Sequence, residues 1–197
     1  MNKLLLATGN PGKAREFKAL LQDIAIDLVT LQGAGLKLEV QEVGKTYAEN
    51  AALKALAYAR ASGLLTLGDD SGLEVEALGG APGLYSARYA PLPAATDADR
   101  RAYLLGHLSG LSQPWLASFH CTVALATPSG EVHFAEGICP GEIITEERGS
   151  NGFGYDPIFL IPEMGCTMAE LSMAEKNQVS HRALAVKAAL PALLSFL

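Results

Sequence analysis

A chain of 197 residues that is 49% hydrophobic and 18% charged has enough apolar material for a packed core and too little charge for a disordered segment to dominate. Its formal net charge of -6 and pI near 5.2 give no basic field for nucleic acid or an anionic membrane surface, so any polyanionic ligand must be held by a local cluster or a cation. Cys121, Cys139 and Cys166 are odd in number and include no CxxC pair, which argues against a disulfide framework or a structural zinc site and suits a reducing cytoplasm.

No segment approaches the roughly 20 apolar residues of a membrane span, and the apolar run before Thr8 is too short for a signal-peptide core. The expectation is one cytoplasmic unit over residues 1–197. Lys3 to Ala7 reads as a buried strand. Asn10 then offers an N-cap and Pro11 a first helical position, and Phe17, Leu20, Leu21 and Ile24 form one apolar helical face. Leu28 to Leu31 reads as the next strand. Thr46-Tyr47-Ala48-Glu49 fits a capping box, opening a helix that runs to Ser62 and stops at Gly63.

Leu64 to Leu67 is an apolar run into Gly68-Asp69-Asp70-Ser71-Gly72, which reads as a tight turn, and the alternating Leu73 to Leu78 leaves it as a half-exposed strand. Two adjacent carboxylates repel each other unless a metal or a lysine compensates them. From the pentapeptide alone, a functional site and buried aspartates capping backbone N–H groups both remain open. Further on, Thr96 can cap a helix from Asp97 to about Leu108, and Phe119 to Thr127 with Glu131 to Phe134 reads as a hairpin that Ile143 to Thr145 could extend. Gly149 to Asp156 is a glycine-rich loop followed by a short strand at Pro157-Ile158-Phe159. Thr167 to Glu170 reads as another capping box, opening a helix toward Lys176, and Ser180 as the cap of a last helix that carries His181 and Arg182 in its first turn. Strands that alternate with helices early and cluster later point to a mixed α/β sheet.

Thr8-Gly9-Asn10-Pro11-Gly12-Lys13 lies between a strand and a helix, where backbone N–H groups and the helix dipole suit a phosphate. It is not a Walker A motif, since Ala7 and Ala14 stand where glycine and Ser or Thr would be needed. Lys13, Lys54, Arg88, Lys176 and Arg182 recur beside helix starts or glycine loops. Together with the acids Glu42, Asp69 and Asp70, they are the parts a metal-assisted phosphate site requires. Phe153, Tyr155 and Asp156 could hold a flat heterocycle, or the two aromatics could pack in the core. His120, His133 and Cys121 lack local ligand spacing and read as structural.

The ordered set TGNPGK, TYAENAALKA, GDDSGLEVEALGGAPGLYSARY, GFGYDPIF and EKNQVSHR resembles the inosine/xanthosine triphosphate pyrophosphatase family, over nearly the whole chain from Thr8 to Arg182. The resemblance implies an elongated α/β fold of two lobes, with a mixed sheet flanked by helices and a central cleft, usually in a homodimer. It also implies magnesium-dependent hydrolysis of ITP, dITP and XTP to the monophosphate and pyrophosphate. By position, Thr8, Gly9, Asn10, Pro11, Gly12 and Lys13 would bind triphosphate, Glu42 and Asp70 would hold Mg2+, and Asp70 would also accept a proton. Ser71 would contact substrate, and Phe153, Gly154, Tyr155, Asp156, Lys176, His181 and Arg182 would complete the nucleotide pocket. Lys54, Asp69 and Arg88 are secondary candidates. Ala183 stands where the family commonly has glycine. Two other readings fit the same parts: a housecleaning pyrophosphatase for pyrimidine or modified nucleotides, and a regulator that binds a nucleotide without turning it over.

Overall fold

The computed structural model describes residues 2–197. Strand β1 (Asn2–Leu6) leads into helix α1 (Pro11–Leu20), and β2 (Ile26–Thr30) and helix α2 (Tyr47–Ser62) follow. After α2 come strand β3 (Leu65–Val75), helix α3 (Asp97–Leu108) and the long strands β4 (Trp115–Ala126) and β5 (Val132–Ile143). Two short strands, β6 (Phe159–Ile161) and β7 (Cys166–Thr167), precede helices α4 (Met173–Val179) and α5 (His181–Ser195). The strands form one seven-stranded sheet in the order β2-β1-β3-β4-β5-β6-β7. β1 pairs in parallel with β2 and β3, whereas β6 pairs antiparallel with β5 and β7, so the sheet is mixed as the sequence predicts.

The chain divides into two compact units. The first comprises the described residues up to Asp70 together with Cys121–Gly137 and His181–Leu197; the second comprises Ser71–His120 and Ile138–Ser180. Each has its own core. In the first, Leu4, Leu6, Phe17, Leu67, Val123 and Val186 pack together, while Ala51, Ala55 and Ala59 of α2 meet Ala124 and Ala126 of β4. In the second, Leu73, Leu104, Leu108, Trp115, Phe119, Phe159 and Met168 form the cluster. Each such aliphatic or aromatic side chain contributes about 1.5 to 3 kcal/mol on burial. No helix among the described residues is long and apolar enough to cross a membrane.

The helix starts follow from local chemistry. Asn10 Oδ1 accepts from the Gly12 and Lys13 amides at 2.8 and 3.2 Å, and Thr46 Oγ1 accepts from Glu49 at 3.1 Å. Gly63 closes α2 with a φ of 70°, a left-handed value that glycine adopts without strain. Thr96 and Asp99 form a reciprocal capping box at the start of α3.

Three expectations are corrected. The Gly68 to Gly72 segment is not a turn: it belongs to β3, which continues to Val75, and the last three residues of the strand expected over Leu73 to Leu78 form the 3₁₀ turn Glu76–Leu78. Gly68 serves close approach instead, because a Cβ there would lie 2.7 Å from the Ala51 carbonyl oxygen and 2.9 Å from the Ala55 amide of α2. Thr167 and Glu170 do not open a helix, because the Thr167 hydroxyl donates to the Arg148 carbonyl at 2.7 Å. Ser172 and Glu175 supply the capping box, and α4 begins at Met173. Finally, Pro157 and Ile158 belong to a 3₁₀ turn and the strand begins at Phe159, since proline brings no N–H to a ladder.

Candidate active site

The continuation of strand β3 through Asp69 and Asp70 decides the geometry of the two aspartates. Successive side chains on a strand point to opposite faces, so Asp69 and Asp70 are directed to different neighbours. Asp69, 1% exposed, meets Lys13 of α1 at 2.7 Å and Arg182 of α5 at 3.6 Å. Burial alone would raise the Asp69 pKa, but Lys13, Arg182 and Lys54 outweigh it and hold the carboxyl at about 2.

Asp70 belongs with α2. Asn50 Nδ2 donates to Asp70 Oδ2 at 3.0 Å, and Lys54 Nζ lies 4.0 Å from Asp70 Oδ1 while also ion-pairing with Glu42. Asn50 and Lys54 share a helical face at i and i+4. The same Asn50 accepts from the Gly44 amide at 2.8 Å through Oδ1, which ties the irregular segment that carries Glu42 to the helix. Burial pushes the Asp70 carboxyl above its ordinary pKa, with Lys54, Lys13 and Asn50 opposing that rise. For Lys54, burial works against the ammonium, but Asp69, Asp70 and Glu42 overcome it and raise the pKa.

One acid in this group has no signal in the sequence motifs. Glu16, 3% exposed, forms an ion pair with Arg182, whose guanidinium is itself 1% exposed and stacks over Phe17 with 5.6 Å to the ring centroid. Burial disfavours the guanidinium charge, yet Glu16 and Asp69 raise its pKa further above the usual arginine value. The only sequence hint was position: Glu16 lies one turn beyond Lys13 on α1. His181, 5% exposed, is the first residue of α5, and its carbonyl lies so close to β5 that a Cβ on Gly137 would stand 2.2 Å from it.

Thr8, Gly9, Asn10 and Pro11 span the turn between β1 and α1. Thr8 Oγ1 accepts from the Asn10 amide at 3.1 Å, and the Gly12 and Lys13 amides are already engaged by Asn10. The cationic reach of this helix start therefore lies in the Lys13 ammonium more than in its first amides.

In the second unit the glycine-rich loop folds onto α4. Asp156, 3% exposed, receives Lys176 Nζ at 2.5 Å and the Phe153 amide at 2.9 Å, and Lys176 Nζ sits 5.3 Å from the centroid of the Phe153 ring. Gly152 makes this possible: a Cβ there would fall 2.0 Å from Asp156 Oδ2, and its φ is 76°. Tyr155 is buried and its hydroxyl donates to the Ser86 carbonyl at 2.9 Å, so this aromatic packs in the core while Phe153 stays partly open. Ser71, half-buried, follows Asp70 on β3. Arg88 is exposed and lies over the Tyr85 ring, 5.1 Å from its centroid.

The donor set fits a hard divalent cation. Glu42 and Asp70 both turn carboxylate oxygens toward one positive centre, the Lys54 ammonium, and magnesium is held by one or two carboxylates, its remaining positions filled by water and phosphate. Among the described residues no group of three or more His, Cys, Asp or Glu is placed to enclose an ion, as a transition-metal site would.

The sequence matches the family model described as the Ham1 family over residues 4–192. It is 49% identical over 189 residues to a dITP/XTP pyrophosphatase from Desulforamulus reducens, covering 95% of this chain and 94% of that protein. With a protein of the same name from Thermus thermophilus the identity is 48% over 193 residues, covering 96% and 91%. Among solved structures, a HAM1 protein from Coxiella burnetii superposes with a TM-score of 0.88 at 40% identity, with all of both chains covered. The Staphylococcus aureus Ham1 protein gives 0.85 at 39% identity, covering 98% of each. A match that spans nearly the whole chain in both sequence and fold places this protein in the Ham1 family.

Proposed function

We propose that this chain is a magnesium-dependent nucleoside triphosphate pyrophosphatase that converts ITP, dITP and XTP to the monophosphate and pyrophosphate, clearing deaminated purines from the nucleotide pool. The observation that carries the reading is the sharing of the Lys54 ammonium by Glu42 and Asp70, with Asn50 fixing the second oxygen of Asp70. A protein that only stored a nucleotide would need the cations but not this paired carboxylate arrangement. Relatives of 48 to 49% identity named dITP/XTP pyrophosphatase support the substrate class.

In this reading Asp70 accepts the proton of the attacking water through Oδ1 while Asn50 holds Oδ2. The water oxygen forms a bond to the α-phosphorus, the bond from that phosphorus to the bridging oxygen breaks, and the electron pair leaves with pyrophosphate. Glu42 and Asp70 would hold magnesium, which when bound supplies charge neutralisation for the pyrophosphate leaving group. Lys13, with Thr8 to Gly12, binds triphosphate oxygens, and Lys54 keeps the two metal-binding carboxylates together. Ser71, Phe153, Gly154, Asp156 and Lys176 serve the nucleotide, and Tyr155 supports that loop from the core. His181 and Arg182 are the donors assigned to the 6-oxo group. Glu16 and Asp69 hold the Arg182 guanidinium at a fixed position, and fixed donors discriminate against an amino group that cannot accept in the same way. Arg88 is a further cation for the phosphate side.

The same reading treats the chain as one domain that works as a homodimer in a reducing, cytoplasmic compartment. Phosphorus NMR of ITP incubated with purified protein and magnesium tests it: IMP and pyrophosphate appear together, and excess EDTA stops their formation. Inosine diphosphate and inorganic phosphate as first products would contradict it, and intact ITP that remains bound would favour a regulator.

A further inference from the structure

Helix α3 begins with two side chains that hold one residue of the glycine-rich loop by both of its backbone polar groups. Asp97 Oδ2 accepts from the Gly154 amide at 2.8 Å, and one turn later Arg101 Nη1 donates to the Gly154 carbonyl at 2.8 Å. Arg101 is itself oriented by a two-pronged pair with Glu147, Nε to Oε1 and Nη2 to Oε2, both at 2.8 Å. Asp97 is oriented by Arg100, which also donates to the Ala95 carbonyl at 2.6 Å. The residues lie at i and i+4 on α3, so one face of a single helix turn meets the donor and the acceptor of the same loop residue.

Gly154 needs such support. Its φ of 63° is left-handed, and glycine loses the most backbone freedom when it is ordered. On one side of it the Phe153 amide is tied to Asp156, and on the other Tyr155 is anchored to Ser86. Of the side chains proposed to contact the nucleotide here, Phe153 and Asp156 sit on this loop and Lys176 reaches it from α4, while the N–H and C=O of Gly154 between them are held by α3. The carboxyl of Asp97 is held below the usual carboxylate range: burial would raise it, and the Gly154 amide and Arg100 outweigh that.

We infer that Asp97 and Arg101 are positioning residues for nucleotide binding, a clamp on the Gly154 backbone that sets where the Phe153 ring and the Asp156–Lys176 pair are presented. This rests on the pyrophosphatase reading for its substrate, but the clamp itself rests on the four hydrogen bonds of Asp97 and Arg101 to Gly154 and Glu147. The proton transfer is assigned to Asp70, so the expected effect of the clamp is on binding.

The test combines enzyme kinetics on ITP with amide hydrogen exchange of the Gly149 to Asp156 loop in the full-length protein. Asp97→Ala is expected to raise KM about tenfold, the scale of one hydrogen bond to a charged group, with kcat within about twofold of the parent. It should also speed exchange of the Gly154 amide. Asp97→Asn keeps an acceptor oxygen and restores both KM and protection. Should Asp97→Ala not remain folded, Arg101→Gln decides: it removes the fork to Glu147 and is expected to raise KM in the same way. An unchanged KM in the folded variants, an unchanged Gly154 exchange rate, or a fall in kcat at unaltered KM overturns the clamp. A parent protein that releases no pyrophosphate from any nucleotide overturns the pyrophosphatase reading instead, and the clamp then stands or falls on Gly154 exchange alone.

Discussion

Removing the Asp69 side chain would leave the Lys13 ammonium and the Arg182 guanidinium facing each other across an interior with one acid fewer, because Asp69 is the carboxylate that both cations approach. Loss of one member of a buried charge network costs about 3 kcal/mol or more. Asp69→Ala is therefore expected to lower the urea midpoint of unfolding clearly. Asp70 has the opposite profile. It lies toward Lys54 and Asn50 with 7% of its surface exposed, and Asp70→Asn keeps the shape while removing the proton acceptor. Its kcat for ITP should fall by about a hundredfold or more, with the unfolding midpoint close to that of the parent. Full activity in Asp70→Asn, or an undisturbed midpoint in Asp69→Ala, would show that the strand does not divide the two roles in this way.

That division was hidden in the sequence for a physical reason. Glycines flanking two acids carry the same letters whether they make a turn or permit a close approach, and only α2, packed on Gly68, selects the second meaning. At the scale of elements, the approach leaves no room for a methyl group. Gly68→Ala is expected to force β3 away from α2, at about 1 to 3 kcal/mol for overpacking. Because Asn50 and Lys54 act from α2 on Asp70, turnover of ITP should fall along with the melting temperature, and a variant with unchanged turnover would mean that this packing does not set the site. The helices themselves were legible, since their determinants are local: Asn10, Thr46 and Thr96 cap where their side chains predict, and Gly63 stops α2. The false capping box at Thr167 marks the limit of that rule, for its hydroxyl is engaged by Arg148, a partner 19 positions away.

Across the whole molecule, what sequence order made legible was the inventory of the site, and what it left out was the pairing. The acids and cations found around Asp69 and Asp70 are all named from motif position except Glu16, whose part depends on a partner 166 residues distant, and the shared face of Asn50 and Lys54 does not show that the Asn50 amide reaches Asp70, 20 residues away. The α3 segment carried no motif at all, yet Asp97 and Arg101 reach Gly154 across 57 and 53 residues. The mixed sheet could be anticipated from the clustering of strands, but the continuation of β3 through the acidic pair could not. The net charge of -6 makes the local grouping of Lys13, Lys54 and Arg182 more telling, because an acidic protein offers a triphosphate no general attraction and leaves its binding to such a group and to a cation. The measurement that bears most directly on the account is pyrophosphate release by the purified protein with magnesium, run side by side on dITP, XTP, dATP, dGTP and dTTP. Donors held for a 6-oxo group predict kcat/KM for dITP and XTP at least about a hundredfold above dATP, whose 6-amino group cannot accept from them; equal turnover of dATP, turnover of dTTP above that of dITP and XTP, or no pyrophosphate from dITP and XTP, would contradict this.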